Sequence, residues 1–172
     1  MNTVSKHSEF QSLIKTSSPP KKTLLVWDGE CGFCKYWITK WEMITDNKHI
    51  DLRPYQEVAK DFPDLDEKLF KKAVRLITPE GIVYSGASAA FKSLELGGAT
   101  HLPMSWYNQN PTFAELTEWL YEKVADNRPF LHDVSHFFLG ENPKKICPSV
   151  WVWAGLGAVI GGTLAIRLGR KK

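Results

Sequence analysis

Two cysteines with two residues between them, Cys31-Gly32-Phe33-Cys34, stand where an apolar run gives way to helical periodicity. The run Thr23–Trp27 reads as a buried strand. From Phe33 to about Asp46, the large residues Phe33, Trp37, Ile38, Trp41 and Ile44 recur every three or four positions, as in an amphipathic helix. The chain must therefore turn sharply from strand to helix at the cysteines. A helix N-terminus carries partial positive charge and unpaired N–H groups, which favour thiolate over thiol at Cys31. The spacing leaves both sulfurs within one helical turn, close enough to bond without large backbone movement. Thiol–disulfide exchange is the expected chemistry, with Cys31 as attacking thiolate and Cys34 as resolving thiol. The acidic neighbours Asp28 and Glu30 oppose the thiolate and Lys35 favours it, which points to a reductant or isomerase-like couple more than a strong oxidant.

The rest of the chain supplies the setting. Ile50–Tyr55 alternates as a second strand, ended or held at a sheet edge by Pro54. Acidic, polar sequence follows, with a helix expected around Leu65–Lys71. Ala73–Ile77 and Ile82–Tyr84 flank the turn Thr78-Pro79-Glu80-Gly81 as a hairpin. A helix over Ser88–Leu96 closes at Gly97-Gly98. His101–Pro111 reads as a loop of turn formers. Thr112–Ala125 reads as a last helix with Phe113, Leu116, Trp119, Leu120 and Val124 on one side. This order of elements is that of an α/β, thioredoxin-like domain over residues 23–131, with a mixed central sheet flanked by helices.

With Asp28 included, the motif reads Asp28-Gly29-Glu30-Cys31-Gly32-Phe33-Cys34, or D-x-x-C-x-x-C. It resembles the DCC family of thiol–disulfide oxidoreductases, named for those three residues and considered thioredoxin-like. Gly81, then Gly86-Ala87 with Ala89-Ala90, look like that family's second signature, and Asn127-Arg128 looks like a third. The resemblance covers roughly Lys22–Leu131. It implies a redox domain. The reaction expected of the cysteine pair is reversible exchange with protein or small-molecule thiols and disulfides, using no bound cofactor. One departure stands out. Thioredoxins place a cis-proline facing the disulfide before the hairpin's first strand, whereas this chain has Lys71-Lys72-Ala73-Val74 there, with Pro79 in the distal turn.

Each candidate has a competing reading. Asp28 either takes a proton from Cys34 or caps the helix by accepting N–H bonds from the Gly29–Gly32 turn. The cysteine pair could instead be half of a structural zinc site. His132 and His136 are the formal complement, but they lie nearly a hundred residues away, against roughly a dozen in compact zinc fingers. No metal site is therefore assigned. Trp37 and Trp41 read as core. A non-enzymatic membrane assembly subunit that keeps the fold as scaffold is the remaining alternative. Cys147 has no assigned role.

Charge excludes a further class. Four of the 22 basic residues, Arg167, Arg170, Lys171 and Lys172, crowd the last six positions, and the remaining 18 nearly balance 19 acidic residues. No basic face for nucleic acid is visible. Residues 1–22 read as a flexible, polar lead without the apolar core of a secretory signal. Low acid content and Phe10, Leu13 and Ile14 at roughly helical spacing would suit a transit segment, but the lead has no arginine. Val150–Ile166 holds seventeen residues and no charge. As a helix it spans about 26 Å, and Leu168 with the stem of Arg167 extends it toward the roughly 30 Å of a hydrocarbon core. Trp151 and Trp153 suit the interface, and Gly157 and Gly161 would allow helix–helix approach and a homo-oligomer. The expectation is a single-pass anchor at 150–168 with a basic tail at 169–172. A linker at 132–149 could lie along the bilayer, with the redox domain facing the cytosol.

Overall fold

A computed structural model describes residues 14–45 and 48–144. Five strands form one sheet: β1 (Ile14–Lys15), β2 (Thr23–Trp27), β3 (Ile50–Pro54), β4 (Arg75–Ile77) and β5 (Ile82–Ser85), in the order β1-β5-β4-β2-β3. Only β2 and β3 run parallel, joined by helix α1 (Gly32–Ile44); the other pairs are antiparallel. Pro54 ends β3 at the sheet's edge, where a missing N–H removes no ladder bond. The mixed sheet flanked by helices is consistent with a thioredoxin-like domain.

From Leu24 to Trp27 strand β2 is apolar because both its faces are covered. Leu24 and Val26 pack with Tyr55, Phe62, Phe70 and Ile77 on one side. Leu25 packs with Ile50, Leu76 and Ala89 on the other, against Ile38 and Trp41 of α1. The first layer is closed by the short α2 (Tyr55–Val58) and by α3 (Glu67–Lys72). The second is closed by α1 and α4 (Gly86–Leu96), which α5 (Leu102–Gln109) and α6 (Pro111–Asp126) support. The last described helix, α7 (Arg128–Leu139), lies on α1.

Four expectations change. Residues 14–22 are not a flexible lead. Strand β1 pairs with β5, and the Asp64 carboxylate accepts the Thr16 hydroxyl at 2.8 Å and the Ser17 N–H at 2.6 Å. These bonds hold the Asp64 carboxyl below its ordinary range, the Ser17 N–H contributing most. Residues 102–109 are helix rather than loop: Pro103 falls in the first turn, where its absent N–H is not needed, and Met104 is buried. Asn110 then ends α5 and caps α6 by accepting the Phe113 N–H at 3.1 Å. The apolar stripe of α6 faces outward, with Leu116, Trp119, Leu120 and Val124 exposed. Its inner face instead carries Ala114 and a buried carboxylate, Glu118, which accepts the Ala87 and Ser88 N–H groups at 3.2 and 3.1 Å and the Tyr107 hydroxyl at 2.8 Å. Finally, α7 runs through Leu131, where a domain boundary was expected. Among the described residues no helix is long and apolar enough to cross a membrane; the segment expected to do so, Val150–Leu168, lies outside them.

Candidate redox site

The turn after β2 is built by side chains that substitute for missing backbone partners. Asp28 Oδ1 accepts the Glu30 N–H at 3.0 Å, and its main-chain carbonyl accepts the Cys31 N–H at 3.3 Å. Gln56 clasps the loop from α2, donating to Asp28 Oδ1 at 2.9 Å and accepting the Gly29 N–H at 3.0 Å. A side chain on Gly29 would collide with Pro54 and Gln56, each under 3 Å away. Cys31 is the N-cap of α1: its backbone is extended and its sulfur accepts the Cys34 N–H at 3.2 Å. Asp28 therefore holds the turn before the helix while sulfur takes the capping place that an oxygen usually fills. A thiolate accepts that N–H more strongly than a thiol.

Cys34, one turn in, is the more enclosed thiol. Burial first, then its hydrogen bond to Cys31, push it up to about 12; the charges on Cys31 and Asp28 act the same way, and Arg128 acts against them. Both cysteines are free thiols. A cavity of about 150 Å³ opens beside Cys34, walled largely by Phe33, Trp37, Trp41 and Phe70, with Asp28 also on its lining. Asp28 Oδ2 has no hydrogen-bond partner among the described residues. Trp37, expected in the core, is partly exposed at this wall and donates its indole N–H to Ser135 at 3.2 Å. Trp41 does reach inward, donating to Ser93 at 2.8 Å.

Three participants were not legible as such. Arg128 reaches back from the start of α7 to the Lys71 and Lys72 carbonyls at 3.1 and 2.6 Å and lines the cavity. Tyr121, also on that lining, accepts the Val74 N–H at 3.0 Å, and burial raises its phenol so that it stays protonated. The imidazole of His132 covers Gly32, 3.2 Å from where a Cβ would sit. Its ring lies 4.3 Å from that of His136. Among the described residues no three His, Cys, Asp or Glu side chains converge as a metal site.

The geometry is that of a dithiol at a helix N-terminus, and the family comparison agrees. Residues 25–133 match the model of the DCC1-like thiol-disulfide oxidoreductase. The chain belongs to that family. No curated protein and no solved structure gives a significant match. Within this DCC1-like domain the three quoted signatures have physical roles. Cys31 and Cys34 form the turn described above. Gly86 has φ +62°, and a Cβ there would lie 2.6 Å from Glu118 Oε2. Asn127 donates to the Lys123 carbonyl at 2.7 Å, which aims the next residue, Arg128, at the cavity's rim.

Proposed function

We propose that the protein carries out reversible thiol–disulfide exchange through Cys31 and Cys34. The Cys31 thiolate attacks a partner disulfide, forming a mixed disulfide and releasing the partner's first sulfur as thiolate. Cys34 gives its proton to Asp28 Oδ2, attacks the Cys31 sulfur, and releases the second thiolate as the Cys31–Cys34 bond forms. One observation carries this reading: the Cys31 sulfur sits on the Cys34 N–H at a helix N-terminus, while Cys34 is held protonated behind it. A Cys34→Ser variant should accumulate a mixed disulfide with bound partner, seen as a mass increase that dithiothreitol reverses. Failure of wild-type protein to oxidise at any glutathione redox ratio would end the reading.

The setting we infer is a membrane surface, with a single anchor at 150–168, the redox domain on the cytosolic side, and self-association through Gly157 and Gly161. What supports it is the uncharged stretch followed by basic residues. Fractionation with and without residues 150–172 tests it. The outward stripe of Leu116, Trp119 and Leu120, with the exposed Trp106, favours a second reading, a non-enzymatic membrane assembly subunit that keeps the redox fold as scaffold. Unchanged biological behaviour of Cys31→Ser would select that one.

A further inference from the structure

The cavity touches Cys34 and not Cys31, so the two sulfurs of the dithiol look onto different surroundings. Cys31 is available to a thiol partner at the head of α1. Cys34 meets an enclosed, aromatic space open on one side. At about 150 Å³ and open on one side, that space takes a single six-membered ring whose substituents extend through the opening.

The lining also states what kind of ring. Trp27 and Tyr121 both border the cavity. The Trp27 indole N–H is buried with no acceptor among the described residues. The Tyr121 oxygen already accepts the Val74 N–H, and its own proton has no acceptor among the described residues. A buried donor without an acceptor is costly, so an occupant with acceptor oxygens would be held by groups now unsatisfied. The walls are mostly apolar and the two charges on the lining, Asp28 and Arg128, are of opposite sign, which disfavours a charged occupant. An extended peptide finds little to pair with at Val74, because its N–H goes to Tyr121 and its carbonyl accepts the Gly86 N–H at 3.1 Å. A flat, uncharged ring bearing acceptor oxygens, placed against one thiol of a dithiol, is the description of a two-electron acceptor.

The geometry points to a quinone as the occupant of this cavity, oxidising the Cys31–Cys34 dithiol through Cys34. This rests on the exchange function proposed above and adds the route by which its electrons leave. The Cys34 sulfur adds to a ring carbon while its proton passes to a ring oxygen. The Cys31 thiolate then attacks the Cys34 sulfur and the S–S bond forms. The S–C bond breaks with its electron pair returning to the ring, which takes a second proton from solvent and departs as hydroquinone. The dithiol loses two electrons and the quinone gains two electrons and two protons.

Duroquinone is a suitable probe, because a fully substituted ring cannot rearomatise as a permanent thioether. Reduced full-length protein, mixed anaerobically with duroquinone, should form the intramolecular disulfide with saturating kinetics and yield one hydroquinone per disulfide. Ala125→Trp, which fills the cavity from α6, should slow this at least tenfold. Trp27→Phe keeps the ring but removes the donor, and should raise the half-saturating concentration roughly threefold to tenfold, the value of one neutral hydrogen bond. A rate that rises linearly with duroquinone and is unchanged in both variants would overturn the inference. Glutathione disulfide, tested in parallel on wild-type protein, separates the two claims. Oxidation by glutathione disulfide without saturable oxidation by duroquinone sinks the quinone site alone, and oxidation by neither sinks the exchange function with it.

Discussion

Two helices of this domain begin with glycine, and their N-termini are completed in opposite ways. At α4, the Glu118 carboxylate from a neighbouring helix accepts two N–H groups, and the Ser88 hydroxyl accepts the Ser85 N–H and donates to the Ser85 carbonyl. Everything there is buried. At α1, the cap is the sulfur of Cys31, half-exposed and hydrogen-bonded to Cys34. A formal charge brought in from outside makes the first terminus a fixed joint. A polarisable atom supplied by the helix itself makes the second one reactive. The same backbone feature, four unpaired N–H groups, thus serves stability in one place and chemistry in the other.

Substitutions at each terminus should separate these roles. The largest effect is expected from Cys31→Ser: exchange with glutathione disulfide should be lost entirely. Urea unfolding of the reduced protein should shift by less than about 1 kcal/mol, because a serine hydroxyl caps a helix well. Next comes a contrast between the two thiols of the wild-type reduced protein. With Cys34 held up to about 12, only about one part in ten thousand of it is thiolate at pH 8. Of these two cysteines, iodoacetamide should therefore modify only Cys31 in peptide mass maps at that pH. The second modification should follow only as pH approaches 12; equal labelling at pH 8 would remove the distinction drawn here. The sign follows from linkage. A raised folded value means that the folded protein keeps this proton more tightly than the unfolded chain, an advantage complete below about 9 and lost as pH rises through 12.

At the other terminus, Glu118→Ala should cost about 2–3 kcal/mol in urea unfolding by leaving the Ala87 and Ser88 N–H groups without an acceptor. Exchange kinetics should remain measurable below the transition. The glycines sharpen the comparison further. Gly86→Ala should cost about 1–3 kcal/mol, since φ is +62° and the methyl group meets Glu118. Gly32→Ala should cost under about 1 kcal/mol, because only the edge of the His132 ring must shift. A larger loss at Gly32 than at Gly86 would reverse the assignment of which joint is fixed.

Much of this frame was readable beforehand, and the failures have specific causes. Strand β2, helix α1 and the β4–β5 hairpin announce themselves through local period and turn chemistry, which act over a few residues. Glu118 does not, because a glutamate on an amphipathic helix reads as solvated. Only tertiary contact with α4 shows that it caps another element. The stripe on α6 misled for the same reason: Glu118 draws its own face inward and turns Leu116 and Trp119 out. Helix α5 was hidden by Pro103 and Asn110, residues that favour turns yet also start and stop helices. The D-x-x-C-x-x-C run predicts the strand-to-helix turn on which Asp28, Cys31 and Cys34 are found. Gln56, Tyr121 and His132 carry no local mark, since each meets the cysteine turn from a different element.

The attachment of α7 bears on how the domain meets whatever lies beyond residue 144. Tyr36 donates to the Gly140 carbonyl at 2.9 Å, Trp37 donates to Ser135, and Lys40 donates to the Pro143 carbonyl at 3.3 Å. All three donors lie on the helix that carries the cysteines. A shift of residues 135–143 is therefore delivered along the body of α1 and would change the angle at which the reactive sulfur is presented.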